Sequence, residues 1–160
     1  MTGPENSLFF TSLADINDFG RMLGGLLRPG DVLLLFGGLG AGKTTLTQAI
    51  AQGLAVPDEY YVSSPSFALL HEYPGRHPLY HMDCYRLAGE DDIEGAGLLD
   101  YLQSTDGVCV VEWPERLGTL MPKDCLVITL EAGSGEERRL DLRAQGPGWQ
   151  KRLADILSFC

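Results

Sequence analysis

The sequence predicts a three-layer α/β fold with a parallel sheet at its centre and antiparallel strands at its edges. Two near-continuous apolar runs, residues 31–36 and 107–112, are typical of parallel strands buried on both faces. Residues 44–54, after the first run, carry apolar side chains at helical spacing. Residues 126–130 and 138–142 nearly alternate, and the glycine-containing turn between them predicts an antiparallel hairpin near a sheet edge. This mixture of strands and helices predicts helices packed on a mainly parallel sheet.

The N-terminal segment predicts a short strand followed by an amphipathic helix. The strand covers residues 8–10, and Ser12 can cap the helix with Asp15 placed for a capping box. Pro29 and Gly30 end this helix before the first apolar run. The helix side chains expected to face the core are Ile16, Phe19, Met22, Leu23, Leu26 and Leu27.

The rest of the chain predicts two more strands and several helices. Residues 67–73 and 79–83 predict strands close enough to pair as a hairpin. A short helix is expected at residues 98–102, and Pro114 is well placed to begin another after the second apolar run. Residues 149–157 predict the last helix.

The glycine-rich segment at residues 37–44 fits the pattern G-x-x-x-x-G-K-[ST] between a predicted strand and a predicted helix, which is the context of a phosphate-binding P-loop. Glycines leave backbone N–H groups free to converge on an anion, and the helix start adds partial positive charge. Lys43 is expected to reach the β- and γ-phosphate oxygens, and Thr44 to bind Mg²⁺. A plain glycine-rich turn would leave this Lys-Thr pair unexplained, so the fold expected is that of a P-loop NTPase. The residues expected to bind the nucleotide are Gly37, Leu39, Gly40, Ala41, Gly42, Lys43, Thr44 and Thr45.

Two acidic residues, Asp83 and Glu112, each close an apolar strand at its carboxyl end, where ligand crevices of such sheets lie. A carboxylate there can hold Mg²⁺ or orient a water molecule against the γ-phosphate. Asp83 and Glu112 are therefore candidate catalytic residues with Lys43, and candidate metal ligands with Thr44. A helix cap or a surface acid is the alternative for either one alone. The sequence does not decide which carboxylate holds the metal and which positions water.

Three further features are open to two interpretations each. The loop Ser-Pro-Ser-Phe at residues 64–67 is either a switch-like element that contacts the γ-phosphate and Mg²⁺ or a plain turn. His81 lies inside an apolar strand pattern, which favours a hydrogen-bonded structural role over a catalytic one. Arg86 is the candidate within the chain for an arginine finger, a charge that a partner would otherwise supply.

Composition and charge exclude several classes of protein. The net charge of −10, from 12 basic and 22 acidic residues, argues against a broad nucleic-acid surface. The four cysteines lack the spacing of a zinc site or a disulfide framework. No apolar run is long enough to span a bilayer, and residues 1–6 lack the features of a signal peptide. The sequence therefore predicts a cytoplasmic protein that does not bind membranes and forms a single domain over residues 1–160.

Two features that are absent from the sequence limit which nucleotide is expected to bind and which reaction is expected. No Asn-Lys-x-Asp element follows the P-loop, which favours ATP over GTP. An ATPase, a small-molecule kinase and a nucleotide-gated binding subunit that barely hydrolyses ATP all remain open. Small-molecule kinases usually carry an arginine-rich lid, whereas only Arg116 and Lys123 are basic between Arg86 and Arg138. This shortage favours an ATPase over a kinase.

Four motifs together resemble those of the TsaE (YjeE) family, and they cover nearly the whole chain in the expected order. They are G-x-L-G-A-G-K-T-T-L at residues 37–46, Ser-Pro-Ser-Phe at 64–67, His-x-Asp-x-Tyr-Arg-Leu at 81–87 and Val-Glu-Trp-Pro at 111–114. The resemblance implies an ATPase component of bacterial tRNA threonylcarbamoyladenosine synthesis, which modifies adenosine 37 of tRNAs that read codons starting with A. It also implies two partner proteins, TsaB and TsaD, of which TsaD carries out the transfer to tRNA.

The resemblance also implies roles at the matching positions. Lys43 would contact phosphate, Thr44 would bind Mg²⁺, Asp83 and Glu112 would be the metal and water-positioning carboxylates, and Trp113 would belong to the same functional edge. Hydrolysis is expected to be slow for the isolated chain and faster in the complex. The acidic charge suits a protein that meets tRNA through a partner.

One position departs from the family pattern. The family usually has aspartate second in the loop, where this chain has Gly38. The glycine removes a side chain that could orient the loop or contact a partner, while phosphate contacts from backbone N–H groups should survive. The residues suggested as walls of an adenine pocket are the turn at 11–13 and the strand positions 138–139.

Overall fold

A seven-stranded mixed sheet with helices on both faces organises residues 6–160, which are the residues that the computed structural model describes. Residues 1–5 lie outside the described residues. They belong to the segment 1–6, which was predicted from the sequence not to be a signal peptide. Among the described residues, no helix is both long enough and apolar enough to cross a bilayer. In chain order the elements are β1 (Ser7–Phe10), α1 (Leu13–Leu26), β2 (Val32–Phe36), α2 (Lys43–Gly53), β3 (Leu70–Tyr73), β4 (Leu79–Asp83), α3 (Glu90–Gly95), α4 (Leu99–Leu102), β5 (Val108–Glu112), a 3-10 helix (Pro114–Leu120), β6 (Cys125–Ala132), β7 (Arg138–Gln145) and α5 (Pro147–Ser158).

The sheet is parallel at its centre and antiparallel at both edges. Its strand order is β1-β7-β6-β2-β5-β4-β3, and the four neighbours β6, β2, β5 and β4 run parallel. The β6–β7 hairpin lies on one side, where β1 pairs antiparallel with β7, and β3 pairs antiparallel with β4 on the other side. The predicted α/β class with a parallel centre and antiparallel edges is confirmed.

Each face of the sheet has its own core because side chains alternate along the strands. Leu33 and Leu35 of β2 belong to the cluster that contains buried side chains of α1, α2 and α5. Leu34, between them, belongs to the opposite cluster, with side chains of α3, α4 and the 3-10 helix. The run 31–36 is continuous in apolarity because both faces are covered.

Helix α1 begins as predicted but does not bury every predicted side chain. The amide of Asp15 donates to Ser12 Oγ at 3.2 Å, so Ser12 is the N-cap. Leu26, which was expected in the core, is 37% exposed. Leu23 and Leu27, one turn apart, are buried at that end of the helix instead.

The predicted strand at residues 67–73 is shorter than expected, since β3 starts at Leu70. Leu69 has a φ of +69°, a left-handed conformation that interrupts extended chain. Its amide donates to the Pro65 carbonyl at 2.7 Å, and its carbonyl accepts from the Asp83 amide at 3.0 Å. These bonds form a turn that holds the Ser-Pro-Ser-Phe loop beside the end of β4.

Candidate active site

A cleft of about 560 Å³ opens where β2, β4 and β5 end, at the carboxyl edge of the parallel strands. Every site residue predicted from the sequence lines this cleft except Gly37, which contributes a carbonyl beside it. The cleft is lined by Leu13, Ile16, Leu39, Gly40, Ala41, Gly42, Lys43, Thr44, Thr45, Ser64, Ser66, Asp83, Tyr85, Arg86, Glu112, Trp113, Leu130 and Arg138.

The loop between β2 and α2 depends on glycine at two positions. Gly40 and Gly42 have φ values of +77° and +105°, which strain any residue with a side chain. Gly42 is the N-cap of α2, and no side chain caps the helix there. The first amides of α2 are thus available to an anion at the helix N-terminus.

The Lys43 ammonium lies at the centre of the loop, and the residue as a whole is only 5% exposed. Its Nζ donates to the carbonyls of Gly37 at 2.5 Å and Gly38 at 2.9 Å, and it lies 4.1 Å from the centroid of the Trp113 ring. Burial lowers the pKa of Lys43, while the negative charges of Glu112 and its acidic neighbours act in the opposite direction. This cation is held where an anionic ligand would be strongly attracted.

Strand alternation places both predicted carboxylates on the side of the sheet that α2 covers. Leu79 and Val110 belong to the cluster on that face. Asp83 follows Leu79 by four residues and Glu112 follows Val110 by two, so both share it. Asp83 and Glu112 are also register partners on β4 and β5, which makes their side chains neighbours.

The Glu112 carboxylate is almost completely buried and is bound from two sides. Thr44 Oγ1, from the first turn of α2, donates to Glu112 Oε1 at 3.2 Å and lies 3.3 Å from Oε2. His81 Nε2 lies 2.5 Å from Glu112 Oε2. The P-loop hydroxyl and the β5 carboxylate are therefore already in contact.

The Asp83 carboxylate is bound by the loop that the sequence singled out. Ser64 Oγ donates to Asp83 Oδ2 at 2.6 Å, and the amide of Tyr85 donates to Oδ1 at 2.9 Å. Ser64 and Ser66 both line the cleft. The Ser-Pro-Ser-Phe segment is thus more than a remote turn, since it contacts a candidate catalytic carboxylate.

The donor set fits a magnesium ion shared with phosphate. Thr44 and Glu112 bring hydroxyl and carboxylate oxygens together, with Asp83 beside them. Mg²⁺ prefers such oxygens, and it usually keeps several waters and binds substrate phosphates instead of filling a protein cage. Residues 6–160 contain no group of three or more His, Cys, Asp and Glu side chains placed to hold a metal by themselves.

Trp113 begins the turn after β5 in a left-handed conformation, with φ +55° and ψ +52°. Its ring contacts the Lys43 ammonium and packs 4.9 Å, centroid to centroid, from the Tyr85 ring. An aromatic residue in this conformation is strained, which is a frequent property of functional positions. Trp113 therefore forms one wall of the cleft.

Basic side chains other than Lys43 lie at the margins of the cleft. The Arg86 guanidinium stacks 4.0 Å from the centroid of the Phe67 ring, which is 84% exposed. Arg138 Nε donates to the Ala41 carbonyl at 3.1 Å. Of the two arginines suggested as an adenine wall, only Arg138 lines the cleft, since Arg139 pairs with Asp141.

Sequence reasoning did not find two contacts of the site. His81 is buried and hydrogen-bonded, in agreement with the structural role expected of it, but the sequence did not show that its partner is Glu112. Tyr85 received no role, although its amide and its ring both contact site residues. The spacing His81-x-Asp83 was the available signal for His81, because alternate residues of a strand share a face. Tyr85 lies in the turn after β4, where strand alternation gives no signal.

A family model and several known proteins are similar to this chain over most of its length. Residues 10–140 match the family model described as "Threonylcarbamoyl adenosine biosynthesis protein TsaE". A Bacillus subtilis protein named tRNA threonylcarbamoyladenosine biosynthesis protein TsaE is 41% identical over 137 residues, which are 85% of this chain and 84% of the relative. A Treponema pallidum protein of the same name is 40% identical over 129 residues, which are 81% of this chain and 93% of the relative.

A solved structure has the same fold. The crystal structure of Bacillus subtilis YdiB superposes with a TM-score of 0.78 and 32% identity, covering 96% of this chain and 93% of that chain. The similarity therefore extends over nearly the whole chain and not only over the P-loop.

Proposed function

This chain belongs to the TsaE family, which takes part in tRNA threonylcarbamoyladenosine biosynthesis, and on that basis we propose that it is the ATP-hydrolysing P-loop subunit of this pathway. One observation carries the proposal. The P-loop hydroxyl of Thr44 contacts the strand-end carboxylate of Glu112, in a cleft that also holds Lys43 and Asp83. This is the arrangement needed to bind a phosphate chain together with a divalent cation.

Each residue has a distinct role in this proposal. The amides of the glycine loop and Lys43 would bind the phosphates of ATP. Thr44 and Glu112 would hold Mg²⁺, because their oxygens already lie 3.2 Å and 3.3 Å apart. When bound, Mg²⁺ would offset negative charge on the phosphate oxygens. Asp83, held by Ser64, is then the carboxylate available to orient the attacking water.

The proposal predicts slow hydrolysis by the chain alone. The Arg86 guanidinium is stacked on Phe67, and Arg138 is bound to the Ala41 carbonyl. An arginine that stabilises the transition state is worth about 10³–10⁵ in rate where it operates. We expect the partners TsaB and TsaD to supply or reposition that charge, and we expect the complex to work in the cytoplasm and to meet tRNA without direct contact from this chain.

Phosphate release from Mg-ATP tests the proposal. It is measured with the purified chain alone, with TsaB and TsaD, and with tRNA added, and threonylcarbamoyladenosine formation is followed in parallel. We expect slow release alone, faster release in the complex, and tRNA modification that requires the chain. Equal rates with and without the partners would contradict the partner role.

Two other outcomes would favour the alternative functions. A phosphorylated small-molecule product would indicate a kinase. Nucleotide binding without turnover in every mixture would indicate a nucleotide-gated binding subunit.

A further inference from the structure

The least expected polar side chain of the core is His81, which is 0% exposed in the middle of β4. It shares a face with the apolar Leu79 and is the register partner of Val110. An aliphatic side chain would continue this pattern. The histidine needs an explanation other than packing.

One ring nitrogen of His81 has a partner and the other has none. Nε2 lies 2.5 Å from Glu112 Oε2. A carboxylate can only accept, so Nε2 carries the hydrogen and donates. Nδ1 has no hydrogen-bond partner among the described residues, although it is buried. The bond to Glu112 is therefore the one hydrogen bond that the described residues give this ring.

The hydrogen bond from His81 makes the two oxygens of Glu112 inequivalent. Thr44 Oγ1 lies at nearly the same distance from both oxygens, 3.2 Å from Oε1 and 3.3 Å from Oε2, whereas His81 binds Oε2 alone, at 2.5 Å. Among the described residues, only the side chains of Thr44 and His81 donate hydrogen bonds to this carboxylate. Without His81, a buried carboxylate next to the phosphate site would be oriented only by the hydroxyl that we assign to the metal.

We propose that His81 is a positioning residue that fixes the Glu112 carboxylate for magnesium-dependent ATP hydrolysis. The inference rests on the proposed function, and it adds a residue behind the cleft that does not touch the nucleotide. Partners of this kind typically change metal affinity or activity about 10- to 100-fold when they are removed.

Two variants separate positioning from packing. His81→Leu removes the donor and fills the space with apolar atoms, so we expect phosphate release by the complex with TsaB and TsaD to fall about 10- to 100-fold. The Mg²⁺ concentration for half-maximal release should rise, while ATP affinity without Mg²⁺ should not fall. His81→Gln, whose side-chain amide can donate from a similar reach, should regain part of the loss. His77→Gln, at a half-buried loop histidine, is the matched control and should change nothing.

The hydrogen bond has a readout that does not depend on activity. The chain has three histidines, of which His81 is the one that is fully buried. In protein labelled with ¹⁵N-histidine, we expect one ring N–H signal protected from exchange, which is lost in His81→Leu and shifted in Glu112→Gln.

The outcomes distinguish this inference from the function on which it rests. Wild-type Mg²⁺ dependence in His81→Leu, or no protected ring signal in the wild type, would overturn the positioning role. A protected signal in a wild-type complex that releases no phosphate would overturn the proposed hydrolysis, and the Mg²⁺ dependence of ATP affinity in His81→Leu would then decide the positioning role.

Discussion

Replacing Lys43 by methionine removes the one ammonium at the centre of the P-loop and keeps most of its apolar stem. The residue is 5% exposed, and its ammonium donates two hydrogen bonds, to the carbonyls of Gly37 and Gly38. Truncating one partner of a buried charge pair costs about 2–5 kcal/mol in binding. Because Lys43 must give up carbonyl partners when it binds phosphate, we expect the lower part of that range, about 2–4 kcal/mol. This corresponds to Mg-ATP binding weakened about 30- to 1,000-fold.

The same substitution should change folding little. Burial already lowers the pKa of Lys43 and so disfavours its charged form in the fold. We expect the free energy of unfolding to stay within about 1 kcal/mol of the wild type. Calorimetric titration with Mg-ATP measures the affinity, and denaturant unfolding measures the stability. Lys151→Met, at an exposed lysine of α5, is the control. An affinity of Lys43→Met equal to that of the control would refute the assigned role of the ammonium.

Three further predictions concern charge, backbone and thiols. Glu112→Gln should keep Mg-free ATP affinity while phosphate release falls at least about 10- to 100-fold, because losing a metal ligand costs no less than losing the residue that orients it. Full activity, like that expected of Glu94→Gln on the surface, would exclude this carboxylate. The free energy of unfolding of Gly38→Asp should lie within about 0.5 kcal/mol of the wild-type value, because no atom lies within 4 Å of an added Cβ. A larger loss of stability would show that the aspartate strains the loop. Alkylation at neutral pH should label Cys160 first, because it is exposed while the other three cysteines are buried. Burial raises the pKa of all four thiols, and it raises the pKa of the three buried ones furthest. Those thiols are Cys84 and Cys109, with a pKa of about 12, and Cys125, with a pKa of about 11. Their raised pKa values contribute fully to the free energy of unfolding below pH 9, and this contribution is lost as the pH rises toward 12. Early labelling of a buried thiol, seen by mass spectrometry, would contradict the burial. So would a free energy of unfolding that increases as the pH is raised from 9.

The sequence predicts the centre of this fold well because burial leaves a local pattern. The run that became β2 is apolar throughout since both of its faces are covered, and the period of α1 shows which face it buries. The turn at Leu69 could not be predicted in this way. Its left-handed conformation is held by a bond from the Asp83 amide, which lies far along the chain.

The candidate site likewise has a part that the sequence predicts and a part that it does not. Lys43 and Thr44 belong to a contiguous motif whose spacing is itself the signal. The contact between His81 and Glu112 joins residues 31 positions apart and depends on the pairing of β4 with β5. A histidine in an apolar strand is equally consistent with a structural role until that pairing is known.

The most direct measurement is a crystal structure of the chain with Mg²⁺ and a non-hydrolysable ATP analogue. We expect phosphates on the loop at residues 37–44, Lys43 turned from the Gly37 and Gly38 carbonyls toward them, and Mg²⁺ between Thr44 and Glu112. A nucleotide bound elsewhere, or a metal that contacts neither Thr44 nor Glu112, would contradict the proposed site.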